Sequence, residues 1–298
     1  MVVVRLMGGI GNQMFQYALG RRIAKETGMQ VKFDLSSGFR SDAYRRHFAL
    51  AQFNTEVVPA EPKEIPLGVT WRSPWSRAAK AAWCAVPPVW RRVVYDPAPF
   101  QFRPSVVAGI RPGAYFFGYW QNQRYFSAIQ ETLRREFTLR SGYSAPVAAL
   151  LGEIACGRSI SVHVRRNLGL DADGRVVPRS RDFHGTCGVE YFRDAVDVVG
   201  HAPGTVCYVF SDDPAWAKAN LRMPIPCKFV ADLCPCSDVD ELLLMASCQH
   251  HIIANSSFSW WAAWLGTNPH KVVVAPKAWV QGLPSAAIDI CPPSWITI

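Results

Sequence analysis

The second half of the chain alternates short apolar segments with amphipathic ones, and this order constrains the fold more than any other feature. Strands are predicted over 159–164, 205–210, 227–230, 251–254 and 271–275. Helices are predicted between them, over 189–198, 213–220, 239–248 and 258–265. Strands that alternate with helices form a parallel sheet with right-handed crossovers. The sequence therefore predicts a Rossmann-like α/β domain here, with ligands bound beyond the carboxyl ends of its strands.

The first half opens with a strand, a glycine turn and a helix. An apolar segment is followed by Gly8, Gly9 and Gly11, and a helix is predicted from Asn12. Glycine has no Cβ, so its backbone can approach a ligand closely, and a helix N-terminus presents free N–H groups. The dinucleotide fingerprint G-x-G-x-x-G is incomplete, because Met14 stands where the third glycine belongs. An ordinary tight turn of an α/β domain is the alternative interpretation.

Amides and aromatic rings are interleaved at the start of this helix. Asn12, Gln13 and Gln16 are amides, and Phe15 and Tyr17 lie among them. Amides donate and accept hydrogen bonds without charge, which suits a ligand rich in hydroxyl groups. Aromatic rings offer flat faces to the C–H surfaces of sugars. In the alternative interpretation the two rings belong to the core and the amides are solvated.

Length and charge limit the classes of protein that fit. With 298 residues and 49% hydrophobic content, the chain has room for two globular domains; we predict them over 1–150 and 151–298. The net charge of +9 fits a polyanionic ligand such as a nucleotide diphosphate, or an anionic membrane surface. No basic block with regular spacing is present, so we expect no nucleic-acid partner.

The cysteines favour neither a disulfide framework nor a metal site. There are nine, an odd number, spread unevenly through a long chain. Cys234 and Cys236 precede Cys248, His250 and His251, but the C-x-C spacing differs from that of structural zinc sites. We expect no metal ion and no cofactor.

The sequence also predicts where the protein resides. The apolar segment at the start is too short for a signal peptide and runs directly into the glycine turn. No apolar stretch is long enough to span a bilayer, so a cytoplasmic protein is expected. The segment 71–92 is rich in Trp and Arg, residues that suit a membrane interface. Its prolines interrupt any long amphipathic helix, so peripheral membrane contact and a simple surface loop both stay open.

An arginine pair follows the strand predicted over 159–164. His163 and Arg165 lie on one face of an extended strand, and Arg166 lies on the other. The planar guanidinium group pairs with two phosphate oxygens at once. We call Arg165 and Arg166 the arginine clamp. They would stabilise the charge that develops on a departing diphosphate; the alternative is a surface arginine pair beside a histidine satisfied within the core.

Polar residues also follow two other predicted strands. Asp212 can accept hydrogen bonds from a nucleobase or from ribose hydroxyls, whereas Asp213, which precedes Pro214, is expected to cap a helix. The third group combines side chains with the N–H groups of a helix start into an anion site. We call it the hydroxyl cradle, and it comprises Asn255, Ser256, Ser257 and Ser259. The tryptophans that follow are expected to be core.

These motifs together resemble the bacterial α-1,2-fucosyltransferase family, glycosyltransferase family 11. The matching segments are 8–20 (GGIGNQMFQYALG), 118–126 (GYWQNQRYF), 161–166 (SVHVRR), 183–192 (FHGTCGVEYF), 211–213 (SDD) and 253–265 (IANSSFSWWAAWL). The resemblance implies two Rossmann-like domains that face each other across a cleft (a GT-B-like α/β fold), with acceptor binding in the first. It further implies GDP-fucose as donor, inversion at the anomeric carbon and no metal. By resemblance, Arg165 holds the β-phosphate, and His163 and Asp212 lie near the guanosine.

The sequence departs from the family pattern directly after the clamp. Leu168 stands at the position of the usual aspartate, so its role is either supplied by another group or absent. Asp173, Asp171 and His184 follow in the same region, and each is a candidate for the base that deprotonates the acceptor hydroxyl. Solvated turn residues are the alternative. The catalytic residues are therefore expected among Arg165, Asp173, Asp171 and His184.

The leading hypothesis is transfer of L-fucose from GDP-fucose to a galactoside hydroxyl of a surface glycan or oligosaccharide, with an α-1,2 linkage. Two alternatives stay open: transfer of another GDP-activated 6-deoxyhexose, and a non-catalytic protein that binds nucleotide sugars or glycans. The donor-binding residues expected on any of these hypotheses are Gly9, Gly11, Asn12, Gln13, His163, Arg165, Arg166, Asp212, Asn255, Ser256, Ser257 and Ser259.

Overall fold

A computed structural model describes residues 1–40, 42, 44–66, 92–166, 168–170, 176–178, 185–284 and 287–298. The described residues divide into two compact units, Met1–Thr138 and Leu139–Ile298. The predicted boundary after residue 150 falls inside the helix Ala145–Cys156. This helix packs on elements of the second unit, because Val147, Leu150 and Ile154 form a buried face. The boundary therefore lies earlier than the sequence predicts.

The first unit is built on a parallel sheet. Its strands are β1 (Val2–Arg5), β2 (Val31–Asp34), β3 (Val93–Tyr95) and β4 (Tyr115–Phe117). In the described residues they pair in the order β2-β1-β4-β3. The helices are α1 (Ile10–Thr27), α2 (Pro104–Ala108) and α3 (Gln130–Glu136). All four residues of β1 are buried, which explains its unbroken apolar sequence.

The aromatic residues of α1 belong to the core of the first unit. Phe15 and Tyr17 are completely buried. The Tyr17 ring stacks on Phe33 with a centroid distance of 5.4 Å, and its hydroxyl donates to Glu136 Oε2 at 2.6 Å. Gly20 makes this packing possible, since a Cβ there would lie 2.8 Å from the Phe33 ring. The prediction that these two rings contact a sugar is therefore wrong.

The second unit confirms the predicted alternation of strands and helices. Its strands are β5 (Arg158–Val164), β6 (Leu168–Leu170), β7 (Val176–Pro178), β8 (Thr205–Ser211), β9 (Cys227–Phe229), β10 (His250–Ile252), β11 (Val273–Ala275) and β12 (Ile296–Thr297). Its helices are α4 (Ala145–Cys156), α5 (Val189–Val199), α6 (Pro214–Asn220), α7 (Asp238–Ala246) and α8 (Ser257–Leu265). β6 and β7 form a separate antiparallel pair.

The main sheet of the second unit has the Rossmann strand order. Its strands pair in the order β12-β11-β10-β5-β8-β9, and every pairing is parallel. The chain moves outward from β5 to β9, then returns to the other side of β5 with β10. The order in which the chain adds strands thus reverses between β5 and β10, and ligands bind at such a switch point. The predicted class, α/β with two Rossmann-like units, is confirmed.

The tryptophans of α8 are core residues, as predicted. Trp260 and Trp261 are completely buried and Trp264 nearly so. Their rings pack on one another, with Trp260 and Trp261 at a centroid distance of 5.2 Å. The indole N–H of Trp260 donates to the Ile290 carbonyl at 2.9 Å. Every residue of α8 from Ser259 to Leu265 is buried, and α7 packs against this helix.

Several sequence predictions concern residues that lie outside the described part of the chain. They are Asp171, Asp173 and His184, together with 71–91 of the segment expected at a membrane. Among the described residues, no helix combines the length and apolar character that crossing a bilayer requires.

Candidate active site

The arginine clamp lies at the switch point of the second sheet, where β5 ends. Asp212, directly after β8, fixes it from the neighbouring strand. Its Oδ1 accepts from the backbone N–H of Arg166 at 2.7 Å, and its Oδ2 lies 3.4 Å from Nη1 of Arg165. The structure thus brings together three residues that the sequence places at two strand ends. Asp212 uses both carboxylate oxygens on the clamp, which gives it a positioning role.

The two arginines have different surroundings. The Arg165 side chain is 29% exposed, so part of this side chain is accessible to a ligand. The Arg166 guanidinium carbon lies 3.8 Å from the centroid of the Trp216 ring, a cation–π contact. Its Nη1 also lies 3.5 Å from Thr186 Oγ1. Arg166 is therefore held against protein groups, and Arg165 is the better phosphate ligand of the two.

His163 lies beneath the clamp as a neutral residue. It is buried, and its Nδ1 is 2.9 Å from Ser259 Oγ. Burial, assisted by the charge of Arg165, lowers the pKa of His163 to about 3. The imidazole is therefore uncharged at neutral pH and adds no second cation beside Arg165. Its contact with Ser259 fixes the start of α8 relative to β5.

The hydroxyl cradle divides into an inner and an outer part. Ser259 is 1% exposed, with its hydroxyl on His163. Asn255 is also buried, and its amide donates to the Trp279 carbonyl at 3.3 Å. Ser259 therefore supports the site from within, which corrects the prediction that it contacts the donor, whereas a donor contact of Asn255 stays a prediction. Ser256 and Ser257 remain partly exposed at the N-terminus of α8.

The N-terminus of α8 is capped by its own chain. Ser256 Oγ accepts from the N–H of Phe258 at 3.3 Å, and α8 runs for nine residues from Ser257. The helix starts directly after β10, the neighbour of β5 in the sheet. The positive end of a helix dipole and a guanidinium group thus flank the same strand ends, an arrangement that favours an anionic ligand. Asp213 caps α6 as predicted, since Oδ1 accepts from the N–H of Trp216 at 3.0 Å.

The glycine turn of the first unit is held by amides. Gln13 is 1% exposed; its Nε2 donates to the carbonyls of Gly8 and His47, both at 2.9 Å. Its Oε1 accepts from the N–H of Ala49 at 2.9 Å. Gln16 is buried in the same way, between the N–H of Met7 and a carbonyl in the 118–126 motif. The prediction that Gln13 binds the donor is therefore wrong, because all its polar atoms are used inside the protein.

The other three donor-binding residues expected in the first unit have mixed surroundings. Gly9 is the N-cap of α1, and Gly11 is buried in its first turn. Asn12 is half-buried, and its Oδ1 accepts from Gln121 Nε2 at 2.7 Å. Gly8 has a φ of +78°, and a Cβ there would lie 2.6 Å from the Asn12 amide. Only glycine fits this turn.

Tyrosine and arginine side chains that the sequence analysis did not single out lie beside this turn. Tyr119 follows β4 and is 36% exposed, with its ring next to Gly8. The Arg46 guanidinium carbon lies 4.6 Å from the centroid of the Tyr44 ring. Arg46 also interacts with the Tyr119 phenol. Burial raises the pKa of this phenol, and the positive charge of Arg46 offsets part of that increase. We call Tyr44, Arg46 and Tyr119 the tyrosine–arginine group.

Glu241 is a second group that the sequence analysis missed. It lies in the first turn of α7, which begins after β9 and therefore at the same edge of the sheet as the clamp. Burial, together with the negative charges of Asp238 and Asp212, raises the pKa of Glu241 from 4.5 to about 7. The sequence signal that could have identified Glu241 is the predicted strand β9. A helix that follows a strand of this parallel sheet begins at the edge of the sheet where the clamp lies.

Glu241→Gln is expected to flatten the pH dependence of stability. The folded protein holds the Glu241 proton more tightly than the unfolded chain, so this residue contributes stability below pH 4.5 that is lost as the pH rises through about 7. Across that window, wild type should lose roughly 1–3 kcal/mol relative to the variant. Denaturant unfolding at several pH values measures this difference. Glu190→Gln, at an exposed position in α5, is the control; parallel wild-type and Glu241→Gln curves would contradict the assignment.

No group of three or more His, Cys, Asp or Glu side chains suited to a metal ion occurs among the described residues. The polar groups that converge at the switch point are instead the clamp, its aspartate and the start of α8. They can bind and stabilise a diphosphate.

Sequence comparisons identify relatives of the whole chain. The family model described as glycosyl transferase family 11 matches residues 90–298. The chain is 32% identical to an alpha-1,2-colitosyltransferase of Escherichia coli, over 100% of this chain and 98% of that one. It is 27% identical to the O-antigen biosynthesis glycosyltransferase WbnK of Escherichia coli, over 98% and 99%. It is 25% identical to human galactoside alpha-(1,2)-fucosyltransferase 1, over 87% of this chain and 63% of that one.

Solved structures with a related fold are more distant. The NodZ alpha-1,6-fucosyltransferase soaked with GDP-fucose aligns with 89% of this chain and 91% of its own, at 18% identity and a TM-score of 0.44. A likeness at this level adds no argument about the reaction.

Proposed function

This chain belongs to glycosyl transferase family 11, and we propose that it transfers a 6-deoxyhexose from a GDP-activated donor to a galactoside hydroxyl in α-1,2 linkage. The observation that carries the proposal is the partly exposed Arg165, fixed by Asp212 at the switch point beside the N-terminus of α8. The relatives named for α-1,2 transfer of colitose and fucose support the linkage. The relative named for O-antigen biosynthesis supports a surface glycan as product.

The clamp would act on the leaving group. As the acceptor hydroxyl attacks the anomeric carbon on the face opposite the diphosphate, the bond from that carbon to the diphosphate oxygen breaks and the configuration inverts. Negative charge then grows on the β-phosphate. Arg165 and the N–H groups at the start of α8 are oriented before the reaction, so they stabilise this charge without rearrangement. His163 is neutral at the pH of the reaction, so it contributes no charge to the stabilisation of the β-phosphate.

The base that takes the acceptor proton is proposed to come from the segment after the clamp. The segment begins where the diphosphate should end, and Leu168 replaces the aspartate that the family pattern has nearest to the clamp. Among its candidates, Asp173 is favoured slightly over Asp171 and His184. His163 does not suit this role, since it is buried and bonded to Ser259.

The acceptor is proposed to bind to the first unit. The exposed ring of Tyr119 offers an apolar face to a sugar, and Arg46 and the paired amides of Asn12 and Gln121 offer hydrogen bonds around it. The segment 71–92 is a candidate for contact with a membrane that carries a lipid-linked acceptor, because of its Trp and Arg content.

The donor sugar distinguishes the two enzyme hypotheses. Colitose differs from fucose by the absence of the 3-hydroxyl group. A site that hydrogen-bonds this hydroxyl rejects the deoxy sugar strongly, whereas an apolar site discriminates weakly between the two. A donor screen with GDP-fucose, GDP-colitose and UDP-glucose, with lactose as acceptor and mass spectrometry of the product, tests the proposal.

We expect a GDP-6-deoxyhexose to be consumed and UDP-glucose to be inert, with the same rate in the presence of a chelator. Loss of activity with chelator and recovery with Mg²⁺ or Mn²⁺ would show that the clamp alone does not stabilise the diphosphate. Binding of GDP without transfer or hydrolysis of any donor would favour the alternative of a non-catalytic nucleotide-sugar-binding protein.

A further inference from the structure

We propose that Cys234 and Cys236 form a reversible disulfide that weakens donor binding when it closes. The bond itself is independent of the proposed function, whereas its effect on the donor rests on that function. In the described structure the two sulfur atoms lie 2.8 Å apart in a thiol–thiol hydrogen bond. Formation of the bond therefore requires little movement.

The backbone favours this closure. Cα atoms of residues two apart lie within the distance that a disulfide spans, and Pro235 between the cysteines restricts the backbone of the loop. Cys234 is buried, whereas Cys236 is partly exposed, so Cys236 is the cysteine that a disulfide reagent can reach first. Leu233 beside them is 44% exposed, which leaves this loop at the protein surface.

The pair lies at the edge of the sheet that holds the clamp. The loop connects the end of β9 to α7, and Ser237, next to Cys236, caps α7 through a reciprocal pair of bonds with Asp240. α7 packs on β5, on β8 and on α8, the three elements that position Arg165, Asp212 and Ser256. A change at the start of α7 thus acts on the elements that hold the proposed donor site.

Charge gives a second connection along the same route. Glu241, one turn into α7, interacts with Asp212 and also with Cys236. Closure moves Cys236 toward Cys234, and because Cys236 adjoins the Ser237 cap of α7, we expect a small shift of the first turn that carries Glu241. Such a shift moves negative charge near Asp212, and on this proposal it weakens the hold of Asp212 on Arg165.

The chemistry is a thiol–disulfide exchange with an oxidised low-molecular-weight disulfide such as oxidised glutathione. One cysteine thiolate attacks a sulfur of the reagent and releases one glutathione thiolate. The other cysteine thiolate then attacks the mixed disulfide and releases the second glutathione. The two cysteine thiols lose two protons and two electrons, and the reagent is reduced to two thiols. A reduced dithiol reverses the reaction.

The reaction should accelerate as the pH rises. Burial, with the hydrogen bond to Cys234 and the charges of Glu241 and Asp240, raises the pKa of the Cys236 thiol. Because the thiolate is the reacting species, a raised pKa slows the exchange near neutral pH.

The test is mass spectrometry of the whole protein treated with oxidised glutathione, then alkylated and digested with trypsin. Lys228 and Lys271 bound one peptide that contains both cysteines and Cys248. We expect this peptide to lose two hydrogen atoms in wild type and in Cys248→Ala, but not in Cys234→Ser or Cys236→Ser. Absence of the loss in wild type, or its persistence in Cys234→Ser, would overturn the proposed bond.

Calorimetric titration with GDP, before and after oxidation, tests the second part. We expect several-fold weaker binding after oxidation, full recovery with dithiothreitol, and no change in Cys236→Ser. Cys156→Ser, which removes an exposed thiol elsewhere in the unit, should behave as wild type. Equal GDP affinity in both redox states would overturn the coupling. Absence of GDP binding to the reduced protein would instead count against the proposed function, while the mass measurement still decides on the bond.

Discussion

Arg165→Ala is expected to lower turnover by about 10²–10³-fold, the usual cost of removing one group that stabilises transition-state charge, whereas Arg166→Ala should lower it far less. Arg165 is the partly exposed arginine at the switch point. Arg166 lies against Trp216, and its contact with Asp212 uses the backbone N–H, which alanine keeps. The main loss in Arg166→Ala should therefore be packing, and it should appear as lower stability.

The comparison requires kcat and the GDP affinity of both variants, with Arg193→Ala as the control. Arg193 lies on α5 and its side chain is 58% exposed. Arg165 should act mainly on kcat, because its bond to the β-phosphate strengthens as the bond to the sugar breaks. Small and equal losses in Arg165→Ala and Arg166→Ala would show that the clamp does not act on the leaving group.

Asp212→Asn is expected to lower both GDP affinity and turnover by roughly tenfold, a loss in the range of a partly exposed ion pair together with a charge-assisted hydrogen bond. The amide can keep one contact, either to the N–H of Arg166 or to the Arg165 side chain, but it lacks the charge that holds Arg165. Asp213→Asn is the matched control, since asparagine caps a helix as well as aspartate does.

The same variant decides between the two roles considered for Asp212. If its carboxylate accepted a hydrogen bond from the amino group of guanine, wild type would bind IDP, which lacks that group, much more weakly than GDP. Asp212→Asn would then abolish this preference for GDP. If Asp212 positions the clamp, as its contacts indicate, any preference for GDP over IDP should survive the substitution. Titration of both proteins with both nucleotides gives the answer.

The sequence predicted the second unit well because the strands β5, β8 and β11 of its sheet are largely buried on both faces. The apolar run before His163 indicates a buried strand. Glycine, proline and serine residues between the segments mark where each element ends. Besides the antiparallel pair β6 and β7, three elements escaped prediction for identifiable reasons. β3 has only three residues within a proline-rich region, α4 has an alanine-rich sequence with a narrow apolar face, and β12 is a two-residue edge strand.

The site was harder to predict, because residue type does not show which side of an element faces the ligand. Ser259 and Ser256 are both serines at a helix start, yet one contacts His163 inside the protein and the other caps the helix. The amide of Gln13 suits a sugar as well as it suits three backbone groups. Only the course of the chain around residue 47, far away in sequence, decides between them.

The hydrogen bonds of Gln13 allow the chain after β2 to change in sequence and length while the fold is kept. One amide fastens the glycine turn to a stretch more than thirty positions away, so that stretch has a fixed far end. The segment 35–46, between β2 and that stretch, can then lengthen, shorten or change its side chains without displacing α1 or β2. Relatives that act on different glycans would be expected to diverge within this tethered interval, and exchanging it between them is a rational route to enzymes with new acceptors.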